Sequence, residues 1–264
     1  MPEGDTIHRL AAYLAPRLEG RELEGGRLAD DPTIDLRGRR VERVEARGKH
    51  LCLVLDEGEI LRSHLGMDGS WHEYARGERW RLPESQASLV LAAEDRVFVN
   101  FLAEEVELLV QGGARERRLD RRVGPDLTAD AEVDLDQLAR RARALLPPHA
   151  PALDLLLDQR VASGLGNVYK SEVLFLEAVE PRTPLAELDD ATLQRLYATG
   201  RRLLRANLVP GPRTTRGSLP GTGDLWVYRR AGRECLRCGD TVRMERLGRG
   251  RRSTYWCPGC QAGS

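Results

Sequence analysis

Four cysteines near the C-terminus form two Cys-x-x-Cys pairs, Cys235/Cys238 and Cys257/Cys260, with 18 residues between the pairs. This spacing is typical of a zinc ribbon, in which four thiolates hold one metal ion. Two disulfides are the competing explanation, which the absence of an export signal disfavours. Because a closed four-cysteine site leaves no open coordination position, we expect a single Zn²⁺ with a structural role.

The segment between the two pairs predicts a β-hairpin with an arginine-rich tip, which includes Arg249, Arg251 and Arg252. Residues 201–264 carry 14 arginines against four acidic residues, although the formal net charge of the whole chain is zero. The preceding 200 residues are therefore acidic overall. This asymmetry indicates one surface that faces a polyanion.

The rest of the chain changes from strand patterns to helix patterns near its middle. After a helix over residues 6–18, short alternating apolar stretches separated by Gly, Asp and Pro predict a β-sandwich up to about residue 119. Helices are predicted over residues 135–146, 153–157, 168–178 and 190–208. No window approaches 18 uncharged apolar residues, so we expect a cytoplasmic α+β protein without a membrane partner.

The first residues, Met1-Pro2-Glu3-Gly4, offer a reactive amine beside a carboxyl group. Removal of Met1 would leave Pro2 with a free secondary amine, which titrates near pH ~8 and can form an iminium with an aldehyde-like carbon. Glu3 could protonate an oxygen on that carbon. A flexible terminus without chemistry is the alternative.

Three further positions each have a functional and a structural interpretation. Lys49, one of only two lysines, could reach a phosphate from a strand end or be a solvated surface residue. Met67, in a glycine-bracketed tip, could wedge between bases or pack inward. The turn Gly164–Asn167 precedes a helix whose N-terminal amides could hold an oxyanion, or Asn167 could cap that helix. Residues 214–223 lack periodicity and are expected to be mobile, and Cys52 is expected to be buried.

Taken together, these stretches resemble the formamidopyrimidine-DNA glycosylase and endonuclease VIII family over nearly the whole chain. The matching motifs are Pro2-Glu3-Gly4, Arg47-Gly48-Lys49, Ser63-His64-Leu65-Gly66-Met67, Arg122-Val123-Gly124-Pro125-Asp126, Leu156-Leu157-Asp158-Gln159, Gly164-Leu165-Gly166-Asn167 and Tyr255-Trp256-Cys257-Pro258-Gly259-Cys260-Gln261. The resemblance implies a catalytic β-sandwich with an N-terminal helix over residues 1–121, a helix-two-turn-helix DNA-binding domain over 122–224, and a four-cysteine zinc finger over 225–264. DNA would lie in the cleft between the lobes.

The resemblance also implies roles for individual residues in a DNA glycosylase with AP lyase activity, acting in base excision repair. Pro2 would attack C1′ of a damaged nucleotide, and Glu3 would protonate the sugar ring oxygen. Lys49 would assist β-elimination and Arg252 would assist δ-elimination. The DNA-contacting positions are Met67, Arg122 and Asn167. The implied partner is damaged double-stranded DNA, bound by a monomer associated with the nucleoid.

The branch of the family is indicated by local motifs. Formamidopyrimidine-type enzymes carry an Asp-Pro-Arg-Arg-Phe run that is missing from the corresponding stretch, residues 96–101, and residues 214–223 look too short for a purine-capping loop. Thr215-Arg216-Gly217 and the Tyr-Trp-Cys-Pro-Gly-Cys ending look like endonuclease VIII, which favours oxidised pyrimidines as substrates. Residues 64–67 are closer to the formamidopyrimidine form, so an 8-oxoguanine-type glycosylase stays an alternative. A catalytically silent DNA-binding protein is another, and an N-terminal-proline tautomerase is disfavoured because it needs no basic zinc finger.

Overall fold

A computed structural model describes residues 2–217 and 224–262 of the chain. The described residues form two compact units, unit 1 with Pro2 and residues 6–120, and unit 2 with residues 3–5 and the chain from Arg121 onward. Met1 and residues 218–223 lie outside the described residues. The prediction that Met1 is removed therefore concerns a residue outside the described residues, as does most of the predicted mobile segment, residues 214–223.

Unit 1 is built from two antiparallel four-stranded sheets and two helices. Its helices are α1 (Gly4–Leu18), whose first two residues belong to unit 2, and α2 (Ala114–Asp120). Its strands are β1 (Gly25–Leu28), β2 (Val41–Arg47), β3 (His50–Leu55), β4 (Glu59–His64), β5 (Ser70–Ala75), β6 (Ala87–Ala93), β7 (Arg96–Phe101) and β8 (Glu105–Val110). The strand orders are β1-β6-β7-β5 and β2-β3-β4-β8.

The core of unit 1 lies between the two sheets and under α1. Strand β6 alternates strictly between buried and half-buried residues, the pattern of a strand with one face on a core. Helix α1 buries Ile7, Leu14 and Leu18 at helical spacing against Leu53 of β3 and Leu91 of β6 in the same apolar cluster. This packing confirms the predicted sandwich.

Unit 2 contains a helical part and a two-stranded hairpin. The helices are α3 (Leu135–Leu145), α4 (Ala152–Leu157), α5 (Asn167–Leu176) and α6 (Asp190–Ala206), and the hairpin strands are β9 (Arg243–Leu247) and β10 (Arg252–Trp256). Asp189 caps α6, since its side chain accepts a hydrogen bond from the backbone N–H of Thr192 at 2.7 Å. The buried apolar residues of α3 to α6 form one core, and Phe175 of α5 packs with Val227, Val242 and Cys257 of the hairpin module.

The structure corrects four local predictions. Residues 114–120 are helix α2 rather than the end of the sandwich, and strands β1 and β5 were not predicted. The N-cap of α5 is Gly166, so Asn167 is the first helical residue and not the cap. In the predicted mobile segment, Thr214 is buried and held by both ends of the Asn207 side-chain amide. None of the helices in the described parts of the chain has the length and apolar character that crossing a membrane requires.

Candidate active site and metal centre

The Glu3 carboxylate is completely buried in unit 2 and lies at the N-terminus of α5. Its Oε2 accepts a hydrogen bond from the backbone N–H of Gly166 at 2.8 Å, and its Oε1 accepts one from Val168 at 2.7 Å. A helix N-terminus presents unsatisfied N–H groups and the positive end of the helix dipole. The predicted anion site at this turn is therefore occupied by a carboxylate of the protein itself.

Glycines make this close approach possible. The backbone N–H of Gly4 donates to the carbonyl of Gly164 at 2.9 Å, and a Cβ on Gly4 would lie only 2.8 Å from the Cα of Gly164. Gly164 has a φ of +107°, which L-residues with a side chain rarely adopt. A Cβ on Gly166 would lie 2.5 Å from Cδ of Glu3. The Gly-x-Gly turn thus fits around the N-terminal segment of the chain.

An ion pair with Arg213 holds the buried carboxylate of Asp5 in place. Arg213 donates from Nε and Nη2 to the two carboxylate oxygens of Asp5, at 2.9 and 2.6 Å, and its guanidinium lies 4.9 Å from the centre of the Tyr169 ring. Burial alone would lower the pKa of Arg213, but the carboxylates of Glu3 and Asp5 raise it. This bidentate contact holds residues 3–5 against α5 within unit 2.

Asn167 and Lys170 lie one turn apart on α5, and both are buried. The Lys170 ammonium donates to Oδ1 of Asn167 at 2.7 Å and to Oγ1 of Thr254 at 2.8 Å. Burial lowers the pKa of Lys170 to about 7, against the opposing effect of Glu3. The predicted DNA-contacting residue Asn167 is thus bonded to a lysine to which the sequence analysis assigned no role.

Arg252 is exposed at the start of β10, next to the hairpin tip. The tip is held by Asp154 of α4, whose carboxylate oxygens accept from the backbone N–H of Arg249 at 3.2 and 3.0 Å. A cavity of about 280 Å³ adjoins this contact, with Asp154, Asp158, Arg249 and Arg252 among its lining residues. The predicted phosphate-binding arginine is therefore presented on a hairpin that the helical part of unit 2 holds in place.

In unit 1, Lys49 occupies the turn between β2 and β3. Arg47 pairs with His50, so Gly48 and Lys49 form a two-residue hairpin loop, and Gly48 has a φ of +61°. Burial lowers the pKa of His50 to about 3, with Arg62 and His64 acting in the same direction, and Arg62 donates to its Nδ1 at 2.7 Å. The lysine side chain therefore stands beside a neutral imidazole.

Met67 lies in the loop between β4 and β5 and is 58% exposed, so it does not pack inward. His50 at the start of β3 pairs with His64 at the end of β4, which puts the Lys49 turn and the Met67 loop at one edge of the sheet. Leu102, in the loop after β7, is also exposed and has a φ of +52°. Arg122 is exposed in unit 2, and its predicted DNA contact stays a prediction.

The four predicted metal ligands come together in unit 2. The ligand atoms of Cys235, Cys238, Cys257 and Cys260 all lie within 4.8 Å of one another. The Sγ–Sγ distances are 3.8 Å for Cys235 and Cys260 and 3.4 Å for Cys238 and Cys257. A tetrahedral ion with bonds of about 2.3 Å to sulfur separates its ligands by about 3.8 Å, whereas a disulfide is about 2.05 Å long. The cluster therefore fits one metal ion and no disulfide.

Sequence patterns did not single out several charged residues of unit 2, among them the buried Asp5 and Lys170 and the largely buried Arg213. Lys170 had one signal, since it is the second of only two lysines in an arginine-rich chain. Asp5 and Arg213 had none, because their pairing joins residues 208 positions apart.

Comparisons with known proteins agree with this architecture. Residues 1–106 match the model of the formamidopyrimidine-DNA glycosylase N-terminal domain, and residues 124–217 match the model of the H2TH domain of the same family. The chain belongs to the formamidopyrimidine-DNA glycosylase family. The predicted family, and the predicted α+β fold with a sandwich, a helix-two-turn-helix part and a cysteine-bearing hairpin, are confirmed.

Two curated family members with names of the endonuclease VIII branch resemble the chain over its full length. A probable endonuclease 8 of Streptomyces coelicolor is 44% identical and covers 100% of this chain and 95% of its own. A DNA-(apurinic or apyrimidinic site) lyase of Mycolicibacterium smegmatis is 36% identical, with full coverage of both chains. These relatives agree with the predicted branch.

A solved family structure also matches over the full length of both chains. The crystal structure of the MutM (Fpg) protein of Thermus thermophilus is 28% identical, matches 100% of both chains and has a TM-score of 0.81. The family fold therefore includes the cysteine hairpin, which neither matched domain model reaches.

Proposed function

We propose that this protein is a bifunctional DNA glycosylase and AP lyase of base excision repair that removes oxidised bases, pyrimidines in particular. The enzyme class follows from membership of the family and from relatives named endonuclease 8 and DNA-(apurinic or apyrimidinic site) lyase. The observation that carries the proposal is the buried Glu3 carboxylate, which the amides of α5 hold directly after Pro2 in the chain.

In the proposed reaction, the Pro2 nitrogen forms a bond to C1′ of the damaged nucleotide while the bond from C1′ to the base breaks and the base leaves with the electron pair. The ring oxygen takes a proton as the C1′–O4′ bond opens, which leaves an iminium. Glu3 is the proton donor. Since the three backbone N–H bonds that Glu3 accepts favour its carboxylate form, Glu3 must first take up a proton, and the Pro2 ammonium must lose one to become nucleophilic.

Strand cleavage follows from the same iminium, which acidifies the C2′ proton. Loss of that proton expels the 3′ phosphate, and Lys49 at the β2–β3 turn assists this β-elimination. A second elimination expels the 5′ phosphate, and Arg252 on the hairpin binds the departing group. Water then hydrolyses the imine and frees the enzyme for another cycle.

The protein acts as a monomer on damaged duplex DNA. Met67 fills the space that the flipped nucleotide leaves, since it is a large apolar side chain exposed on a loop tip. Asn167 and Arg122 contact the phosphate backbone. The metal ion in the cysteine cluster is Zn²⁺, which in a closed four-thiolate site stabilises the hairpin that carries Arg252.

Borohydride trapping tests the proposal, because borohydride reduces the iminium to a stable amine. The mature protein should form a covalent adduct with a duplex that contains an abasic site. Insertion of an arginine between Met1 and Pro2 is the matched control, since it leaves the Pro2 nitrogen in an amide and should abolish the adduct. Mass spectrometry of the mature protein should show that Met1 is absent.

Two results would contradict the proposal. Retention of Met1 would exclude the amine nucleophile, and duplex binding without any adduct would leave a silent DNA-binding protein. Excision assays on matched duplexes with oxidised pyrimidines and 8-oxoguanine test the substrate class. We expect faster release of the pyrimidines, and a preference for 8-oxoguanine would assign the chain to the alternative specificity.

A further inference from the structure

Lys170 is the most completely buried cation of unit 2, with no exposed surface. Its ammonium has three donors, and three acceptors surround it: Oδ1 of Asn167 at 2.7 Å, Oγ1 of Thr254 at 2.8 Å and the carbonyl of Ser253 at 3.1 Å. A buried ammonium is unfavourable unless each donor has a partner. With all three partners present, Lys170 links α5 to the start of β10 by hydrogen bonds.

The hydrogen bond from Lys170 determines which end of the Asn167 side-chain amide is left to bind a ligand. Because an ammonium only donates, it fixes Oδ1 of Asn167 toward Lys170 and leaves the Nδ2 end pointing away from it. A phosphate oxygen only accepts hydrogen bonds. The orientation that Lys170 imposes is therefore the one that offers a donor to a phosphate, whereas the reversed amide would present an oxygen.

The other two bonds of Lys170 lie next to Arg252. Ser253 and Thr254 directly follow Arg252 in β10, and the side chain of Thr254 also accepts from Lys170 while donating to the carbonyl of Arg252 at 3.1 Å. The ammonium therefore holds the backbone from which the exposed Arg252 side chain projects. One buried group is bonded to both the helix and the strand that carry predicted phosphate contacts.

We propose that Lys170 is a positioning residue for DNA: its ammonium orients the Asn167 amide and the first residues of β10 so that Asn167 and Arg252 bind the phosphates of one strand. The inference rests on the proposed function, since DNA phosphate is the ligand. Lys170 does not touch the DNA itself. A neutral side chain of similar length would fill the space but would not fix the amide.

The test is a double-mutant cycle on binding to a duplex that contains a tetrahydrofuran abasic analogue, which the enzyme cannot cleave. Lys170→Met and Asn167→Ala should each raise Kd by about tenfold. The double variant should lose clearly less than the roughly hundredfold that independent effects would give, because both changes remove the same oriented donor. Additive losses would overturn the proposal, as would an unchanged Kd in Lys170→Met.

Ser171→Ala is the matched control for docking of the hairpin. Oγ of Ser171 accepts from the backbone N–H of Tyr255 at 3.3 Å, so this variant removes a neighbouring bond between α5 and β10 but leaves the Asn167 side chain oriented. We expect its Kd to stay within about twofold of the wild-type value. A tenfold loss in Ser171→Ala would show that docking alone sets affinity and would overturn the proposal.

A pH series separates orientation from packing. Lys170 has a pKa of about 7, and the charged groups that face it are Glu3, Asp154 and Arg252. As pH rises through that value, the wild-type ammonium loses a proton and with it one hydrogen-bond donor. The Kd of Lys170→Met divided by the Kd of wild-type protein should therefore shrink between about pH 6 and about pH 9. A constant ratio would indicate a space-filling role and contradict the proposal.

The two proposals fail in different ways. If wild-type protein gives no borohydride adduct and does not bind the analogue duplex, the proposed function is wrong. If wild-type protein traps and binds but the cycle is additive, only the role of Lys170 is wrong. Metal content and thermal unfolding of each variant show that the hairpin is folded in the protein whose Kd is measured.

Discussion

The Oε1 atom of Glu3 accepts a hydrogen bond from the backbone N–H of Val168 at 2.7 Å, although 165 positions separate the two residues in sequence. This bond, with those from the N–H groups of Gly166 at 2.8 Å and Tyr169 at 3.4 Å, holds the proposed acid mainly by backbone groups. Backbone donors at a helix start are rigid, so the position of the carboxylate depends on how closely the Gly-x-Gly turn approaches it.

Gly166→Ala should lower activity far more than stability. The added Cβ would lie 2.5 Å from Cδ of Glu3, so the carboxylate must move away from its backbone donors. Since a positioned general acid contributes about 10² to 10⁴ in rate, we expect single-turnover base release to fall about 10²-fold or more. Gly25→Ala in β1, where no atom lies within 4 Å of the added Cβ, is the control. Equal rates in both variants would contradict the role of Glu3.

Arg213→Met should destabilise unit 2 strongly, because it leaves the buried Asp5 carboxylate without its bidentate partner. Breaking a buried pair by removing one member typically lowers the free energy of unfolding by about 3 to 5 kcal/mol. The double variant Arg213→Met/Asp5→Asn should regain part of the lost free energy of unfolding, because it no longer buries an unpaired carboxylate. A denaturant titration measures the difference. Arg21→Met, which breaks the exposed pair with Glu94, should lose less than about 1 kcal/mol. Similar losses in the two arginine variants would be inconsistent with this account.

Lys170 should make folding stability depend on pH. Burial lowers its pKa in the folded protein to about 7, below the unfolded value near 10.4, so the unfolded state binds more protons between these values. The free energy of unfolding should therefore rise with pH across that window in wild-type protein relative to Lys170→Met. Urea titrations at several pH values measure the difference. Ser171→Ala keeps the lysine and should keep the wild-type slope, and parallel curves for Lys170→Met would refute the prediction.

Cys257→Ser should abolish metal binding and weaken affinity for DNA, while unit 1 stays folded. Removing one of four thiolates opens the site, and the metal contributes folding free energy to the hairpin. Elemental analysis should fall from one zinc per chain to none, and chelation of wild-type protein should give the same loss of affinity. Cys52→Ala, at the buried cysteine of β3, should retain one zinc. A full zinc content in Cys257→Ser would show that other groups hold the ion.

Arg252→Ala should change the ratio of cleavage products. If Arg252 binds the phosphate that leaves second, its loss should slow δ-elimination and let the β-elimination product accumulate. Gel analysis of an abasic duplex resolves the two products. Arg246→Ala removes another exposed arginine, from β9 of the same hairpin, and should leave the ratio unchanged. An unaltered ratio in Arg252→Ala would remove its assigned role.

Much of the fold could be predicted because its determinants are local. The continuous apolar run of β3, the alternation in β6, the Asp189 cap and the paired cysteines each act over a few residues. Helix α2 was missed for the opposite reason. Its sequence, Ala-Arg-Glu-Arg-Arg-Leu-Asp, is rich in helix-forming residues but has a single large apolar side chain, so apolar periodicity could not reveal it.

The missed strands and charges depend on partners that are distant in sequence. Strand β1 begins with two glycines and is defined by pairing with β6, and β5 is defined by pairing with β7. The anchoring of Glu3 and the Asp5–Arg213 pair likewise require the folded chain. Sequence could nominate Pro2, Glu3 and the four cysteines by chemistry and resemblance, but not the groups that hold them.

The bond from Gly4 to Gly164, together with the three that Glu3 receives, has a consequence for protein synthesis. A ribosome makes the N-terminus first, yet the acceptor at Gly164 and the donors that hold Glu3 exist only after α5 has been translated and folded. A nascent chain that stalls before this helix would carry an exposed N-terminal amine without its aligned carboxylate. Under the proposed mechanism, premature termination before α5 would therefore yield fragments that lack a positioned general acid for base release.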